Sequence, residues 1–329
     1  MNIREEKEQR EKEYLSPFAQ LSQNSKGREL PEESCEVRTC FERDRDRIVY
    51  SKSFRRLKHK TQVFISPESD HLRTRLTHTL EVSQIARSIA CALKLNESLT
   101  EAIALGHDLG HTPFGHTGEA VLNELYPGGF EHNLQSLRIV EKLENGKGLN
   151  LTFEVKDGIK NHCSAYIPAT LEGKIANISD KIAYINHDMD DAFSMGVLRE
   201  SDFPSHLIKI LGNTNSQRIN TMIIDVVENS RGKPDIIKSP EIKNATDELR
   251  AFLFEKLYIG STAKKEEDKA KHVVESLYLY FLKNPLKMPE EYVLRGESDM
   301  ARSVCDYIAG MTDNYAVDTY KDLFIPHSW

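Results

Sequence analysis

The chain predicts an all-α fold, and three observations carry that prediction. Apolar residues recur at helical spacing through almost the whole sequence, regular strand alternation is scarce, and no internal repeat or low-complexity linker interrupts the pattern. Residues 73–94 carry the apolar positions Leu76, Leu80, Val82, Ile85, Ile89 and Leu93 at helical spacing. Residues 98–108 continue with Leu99, Ala102, Ile103 and Leu105. Asn96 or Ser98 suits the cap of that helix, and Glu101 completes a capping box with Ser98. Gly110, Pro113 and Gly115 then break the period, and a further helix is expected to begin near Thr117. Ile175, Ile178, Ile182 and Ile185 mark a helix over 168–188. Four more patterns follow at 205–230, 241–258, 264–282 and 297–323. The best extended candidate is short, 61–66. The first forty residues are charged and turn-rich, and are expected to wrap the core or a neighbouring subunit.

With 329 residues the chain can bury a sizeable core. Charged residues make up 29% and apolar ones 39%, the profile of an ordinary water-soluble protein. A formal net charge of -7 argues against a dedicated nucleic-acid binder. No stretch approaches a membrane span and the N-terminus has no apolar signal core, so a cytoplasmic location without membrane attachment is expected. The five cysteines are odd in number and form no CxxC, which fits a reducing compartment.

The chemistry concentrates in a few places. Gly106-His107-Asp108-Leu109-Gly110-His111-Thr112-Pro113-Phe114-Gly115-His116-Thr117-Gly118-Glu119 holds three histidines and two carboxylates among small residues. His107 and Asp108 are neighbours, about 100° apart around a helix, so both reach a cation lying off its edge. His78, from the preceding helix, and Asp180, from a later one, would join them to surround one cation with two imidazoles and two carboxylates. Such mixed ligation suits Mn, Fe, Mg, Zn or Co. The spacing of His107 and His111 approaches the zincin pattern, but Asp108 stands where that motif needs Glu. Asp180, Tyr184 and Asp188 step by four along one face. Tyr184 and Asp188 suit sugar hydroxyls, and Lys181 suits phosphate. Arg75, three residues before His78, suits a bidentate grip on phosphate. The run Arg43-Asp44-Arg45-Asp46-Arg47 is read instead as ion pairs.

Taken with Phe130-Glu131-His132-Asn133 and Asp306-Tyr307-Ile308-Ala309-Gly310-Met311-Thr312-Asp313, these stretches resemble the HD-domain metal-dependent phosphohydrolases, and within them the deoxynucleoside triphosphate triphosphohydrolases. The likeness covers most of the chain. It implies an HD helical bundle with additional C-terminal helices: an extension over 1–40, a metal-binding core over 41–200 and a helical portion of the same domain over 201–329. It implies hydrolysis of a dNTP to a deoxynucleoside and inorganic triphosphate, with His78, His107, Asp108 and Asp180 on the metal. By the same resemblance His116, Glu119 and His132 are catalytic. Arg75, Lys181 and His111 meet phosphates, Gln62, Tyr184 and Asp188 meet the sugar, and Tyr258 packs on the deoxyribose. The family's oligomers, commonly hexamers, imply a homo-oligomer, and a regulatory nucleotide or single-stranded DNA is a further partner to consider. Two other readings compete. One keeps the metal site for a phosphodiester or (p)ppGpp; the other is a non-catalytic nucleotide or single-stranded-DNA sensor.

Overall fold

The computed structural model describes residues 1–62, 72–163, 165–194, 196–258, 263–296 and 298–326. Every regular element among them is helical, as expected, and the only pairings of extended backbone are two isolated bridges, Arg28 with Thr152 and Thr61 with Thr74. In chain order the α-helices are α1 (Ile3–Tyr14), α2 (Cys40–Val49), α3 (Lys52–Arg56), α4 (Arg75–Ala92), α5 (Glu97–Gly106), α6 (His116–Leu125), α7 (His132–Arg138) and α8 (Phe153–Lys160). They continue with α9 (Leu171–Ser194), α10 (Ser205–Leu211), α11 (Asn215–Ser230), α12 (Pro240–Leu253), α13 (Ala263–Lys283), α14 (Glu290–Arg295), α15 (Met300–Ala309) and α16 (Asp313–Phe324).

The differences from the sequence reading have local causes. The pattern over 205–230 is two helices, because Gly212 turns the chain at φ +114°. The pattern over 297–323 is likewise divided, at Gly310. α5 is capped by Asn96, whose side chain accepts from the Leu99 N–H, and not by Ser98. The N-terminal extension carries a helix that the sequence hid. Asn2 and Glu5 close a reciprocal capping box on α1, yet no residue of α1 is buried, so it has no apolar stripe to betray it. α1 is instead tied down by polar groups, with Lys7 on Glu42 at 2.8 Å and Ser22 donating to Glu11 at 2.6 Å. Of the extended candidate 61–66, Thr61 forms a bridge, and residues 63–66 lie outside the described residues.

The chain divides into two compact units, each assembled from three stretches. The first comprises Met1–Tyr50, His78–His107 and Leu149–Gly260; the second comprises Ser51–Thr77, Asp108–Gly148 and Ser261–Trp329. In the first, α5 is the central rod. Leu99, Ala102, Ile103, Ala104, Leu105 and Gly106 are all buried, with α2, α8 and α9 packed around it. Small residues set the approach: a β-carbon at Gly158 would meet Ile103 Cδ1 at 2.4 Å, and one at Gly106 would meet Ile159 Cδ1 at 2.5 Å. Each fully buried Ile or Leu of this rod contributes about 1.5–3 kcal/mol by leaving water.

The second unit is organised on α13, against which α6, α15 and α16 pack. Val274, Leu277, Tyr278 and Phe281 of α13 share its core with Leu122 and Ile308. Two polar anchors, one of them buried, hold the loop before α6 in this unit. The Asp313 carboxylate accepts from the backbone N–H of Thr61 at 2.8 Å and of Phe114 at 3.0 Å. The Lys60 amine, which is buried, donates to the carbonyls of His111 and Ala309. These contacts hold Phe114 in a left-handed conformation, φ +61°, a strain typical of functional loops.

Candidate active site

The first unit brings together three of the four expected metal ligands. α4 supplies His78, the residue after α5 supplies His107, and α9 supplies Asp180. His78 Nε2 lies 3.1 Å from Asp180 Oδ1, and His107 Nε2 lies 3.7 Å from the same oxygen. Both histidines are buried, whereas Asp180 is partly open to solvent. The tautomer of His107 follows from its other nitrogen. Nδ1 lies 2.6 Å from the Ala104 carbonyl, which can only accept, so Nδ1 carries the proton. In the neutral ring Nε2 is then the lone-pair nitrogen, and it faces a carboxylate oxygen. Two electron-rich atoms so arranged repel unless a cation stands between them, so this donor set fits a divalent metal. Two further histidines, not anticipated from the sequence, support the pair. His162 packs edge-on against His107 with ring centroids 5.1 Å apart. His187 Nδ1 lies 3.2 Å from His78 Nδ1. His187 was legible in principle, since seven residues, or two turns, separate it from Asp180 on the same face of α9.

Further along that face, Tyr184 is half-buried and Asp188 is buried. Burial pushes the Tyr184 hydroxyl up to about 12, so it stays a neutral donor. Burial also lowers the Lys181 ammonium from its usual value, and Asp180 works against that shift. The predicted basic run is consumed by ion pairs: Arg43 and Arg47 hold Glu32, and Arg45 holds Asp46 and Glu101. Its partners are therefore mostly outside the run itself.

The second unit gathers the fourth ligand and the remaining polar residues. Arg75 is buried and donates from Nη1 to Asp108 Oδ2 at 3.0 Å. His111 Nε2 stands 3.1 Å from the other Asp108 oxygen. Burial first, and Arg75 next, push the His111 ring well below its ordinary value, so it is neutral. Its ring stacks on His132 with centroids 4.0 Å apart and planes 14° from parallel. Glu119, on the first turn of α6, faces both remaining histidines. His132 Nδ1 is 2.9 Å from Oε1, His116 Nδ1 is 3.3 Å from Oε2, and the His132 backbone N–H donates to Oε1 at 2.8 Å. Burial alone would raise the Glu119 carboxyl, but hydrogen bonds from His116 and His132 outweigh it and hold the group far below the usual carboxylate range. Glu119 is thus a permanent anion that orients two imidazoles and caps the start of α7. The His116 side chain is 73% exposed. Gln62 is buried, and its backbone carbonyl accepts from Arg75 at 3.3 Å. The Tyr258 side chain lies outside the described residues.

α7 is anchored by a carboxylate that the motif contained but the sequence reading left without a role. Asp306, buried on α15, accepts from Arg138 at 2.6 Å and from Gln135 at 3.0 Å.

Residues 75–185 match the HD domain family, and residues 236–322 match the phosphohydrolase-associated domain. A "Deoxyguanosinetriphosphate triphosphohydrolase-like protein" of Caldanaerobacter subterraneus subsp. tengcongensis is 62% identical, spanning 100% of this chain and 98% of that one. A like-named protein of Clostridium perfringens is 51% identical over 99% of this chain and 98% of its own length. Among solved structures, a phosphohydrolase from Bacteroides thetaiotaomicron superposes with a TM-score of 0.53 at 17% identity, over 86% of this chain and 69% of that one, a likeness of fold. The predicted resemblance therefore holds, and the chain belongs to the deoxyguanosinetriphosphate triphosphohydrolase-like family of HD-domain proteins.

Proposed function

We propose that this chain, a phosphohydrolase acting on a nucleotide, hydrolyses a deoxynucleoside triphosphate at the α-phosphorus to give the deoxynucleoside and inorganic triphosphate. The observation that carries the reading is the convergence of the His78 and His107 Nε2 atoms on Asp180 Oδ1, with the His107 lone pair fixed by Ala104. His78, His107, Asp108 and Asp180 would hold one divalent cation; Mn, Mg, Co, Fe or Zn suits the set. When bound, such a cation polarises a phosphoryl oxygen and lowers the pKa of water. The chain's own residues then divide the remaining work. His116 donates a proton to the departing 5′-oxygen, and Glu119 holds its ring in place. His132, oriented by the same carboxylate, stabilises charge on the phosphate. Arg75, Lys181 and His111 neutralise the phosphates. Gln62, Tyr184, Asp188 and Tyr258 meet the sugar. For Arg75 this role means exchanging its present partner, Asp108, for a phosphate once Asp108 serves the metal.

The test is a screen of the four dNTPs and four NTPs with Mn, Mg, Co and Fe, assayed for inorganic triphosphate. Release of triphosphate from dNTPs is expected. Pyrophosphate or a monophosphate as product would move the chain to another HD activity. His116→Ala should abolish turnover while sparing metal content and dNTP binding, and unchanged turnover would remove His116 from the mechanism.

A further inference from the structure

Behind His78, on the side away from Asp180, runs a file of groups that the proposed mechanism does not use. His78 Nδ1 faces His187 Nδ1 at 3.2 Å, and His187 Nε2 faces Glu81 Oε2 at 2.9 Å. The two rings meet edge-to-face, with centroids 5.4 Å apart and planes 88° from parallel. Both imidazoles are 1% exposed, while the Glu81 side chain is 42% exposed. Glu81 lies three residues after His78 on α4, on the same side of that helix. His187, from α9, therefore bridges two groups one turn apart on α4.

We infer that Glu81 and His187 form a relay that fixes the tautomer and orientation of His78 as a metal ligand. The assignment rests on the metal reading above, and follows from counting protons. If His78 Nε2 gives its lone pair to a cation, its only proton is on Nδ1. That N–H must donate, so His187 Nδ1 must accept. The His187 proton is then on Nε2, where it donates to the Glu81 carboxylate. Every donor meets an acceptor, both rings are neutral, and the single negative end of the file lies at Glu81. In the opposite arrangement, with a proton on His187 Nδ1, the two Nδ1–H groups would collide at 3.2 Å. His78 would then have to carry its proton on Nε2, the atom required for the metal. Glu81 selects against that arrangement because a carboxylate accepts and does not donate. A carboxylate behind a ligating histidine is a familiar device for holding ring orientation and raising basicity. Here a second imidazole is interposed, which lets a partly exposed carboxylate act on a fully buried ligand.

The test measures metal affinity apart from catalysis. Manganese(II) alone is titrated into the full chain, free ion is followed by electron paramagnetic resonance, and thermal unfolding is recorded without metal. Outer partners of ligating histidines are worth about 10- to 100-fold in affinity. His187→Phe, which keeps the bulk and removes both nitrogens, should weaken manganese binding by that factor. Glu81→Ala alters a half-exposed side chain and leaves the core intact, so it should fold normally and also weaken binding. Glu81→Gln keeps an acceptor and should recover most of the loss. Adding Glu81→Ala to His187→Phe should cost nothing more, because the relay runs through His187. Affinity for manganese unchanged in Glu81→Ala overturns the relay, and an unstable metal-free His187→Phe protein in that case marks His187 as packing only. If the parent chain itself binds no manganese, the metal reading falls and the relay falls with it. If the parent binds and the variants bind equally, only the relay falls.

Discussion

Replacing Gly110 by Ala tests how tightly the loop between α5 and α6 is built into the second unit. A β-carbon there would stand 2.2 Å from the Ser136 backbone nitrogen and 2.3 Å from the His132 carbonyl oxygen. Both obstacles are main chain of α7, so no side-chain rotation relieves them. Restoring an ordinary contact of 3.4 Å from 2.3 Å requires the two backbones to part by about 1.1 Å. Overpacking of this kind costs about 1–3 kcal/mol, and the backbone nature of the clash puts it at the upper end. The functional cost is larger in proportion, because His132 itself opens α7 and would move with it. A displacement of about 1 Å in a catalytic group costs on the order of 100-fold in turnover. Urea unfolding and initial rates of triphosphate release from a dNTP measure the two effects. Ser136→Ala is the control: it removes the acceptor of the Gly110 N–H, a 2.8 Å bond, without adding bulk, and should cost about 1 kcal/mol. A Gly110→Ala protein within about 0.5 kcal/mol of the parent, the range of an innocuous surface change, and with normal turnover, would refute the close-packing argument.

Three further outcomes are expected. Burial, aided by Arg56, lowers the Lys60 amine from 10.5 to about 7, so its neutral form is favoured only in the folded chain. The unfolded chain then binds more protons between about pH 7 and 10.5, so this group's contribution to stability is present above 10.5, diminishes as pH falls through that window and is lost below about 7. Urea midpoints should accordingly rise with pH in that window, less steeply in Lys60→Met; identical slopes would mean that Lys60 stays charged. Asp306→Ala strips Arg138 and Gln135 of their shared acceptor and should cost about 2–4 kcal/mol, discounted from the fully buried case because the Arg138 side chain is 27% exposed. Stability unchanged in a chemical denaturation series would contradict that anchor. Glu119→Gln keeps an acceptor for the first N–H of α7 but loses the charge that orients His116 and His132. Turnover should fall by about 10²–10⁴ with little change in KM, and an equal rise in KM would instead mark Glu119 as a substrate contact.

The helices were readable wherever one face is apolar. Within α4 the buried face is Val82, Ile85 and Ile89, whereas Leu80 of the same predicted pattern is exposed, and the isoleucines from Ile175 to Ile185 became the middle of α9. α1 escaped because it is held by polar bonds such as Ser22 to Glu11, which leave no periodic trace. Ion pairing of the Arg43–Arg47 run could be anticipated, but not its reliance on Glu32 and Glu101, which are distant in sequence. Lys60 and Asp313 were likewise opaque, since each acts on backbone groups of segments far along the chain.

By itself the sequence determined the helical class, because a 3.6-residue apolar period can bury its stripe in no other regular structure. It also pointed to side chains able to ligate a metal or transfer protons, because the imidazoles and carboxylates gathered over 106–119 carry lone pairs suited to both. What the tertiary structure alone decided is direction. It shows which nitrogen of His107 bears the proton, which carboxylate orients His116 and His132, and which buried ring stands behind His78. For His132 and His78 those choices depend on partners from distant segments, which no local pattern encodes; the partners of His107 and His116 lie only three residues away, but it is the folded backbone and rotamers that bring them within reach.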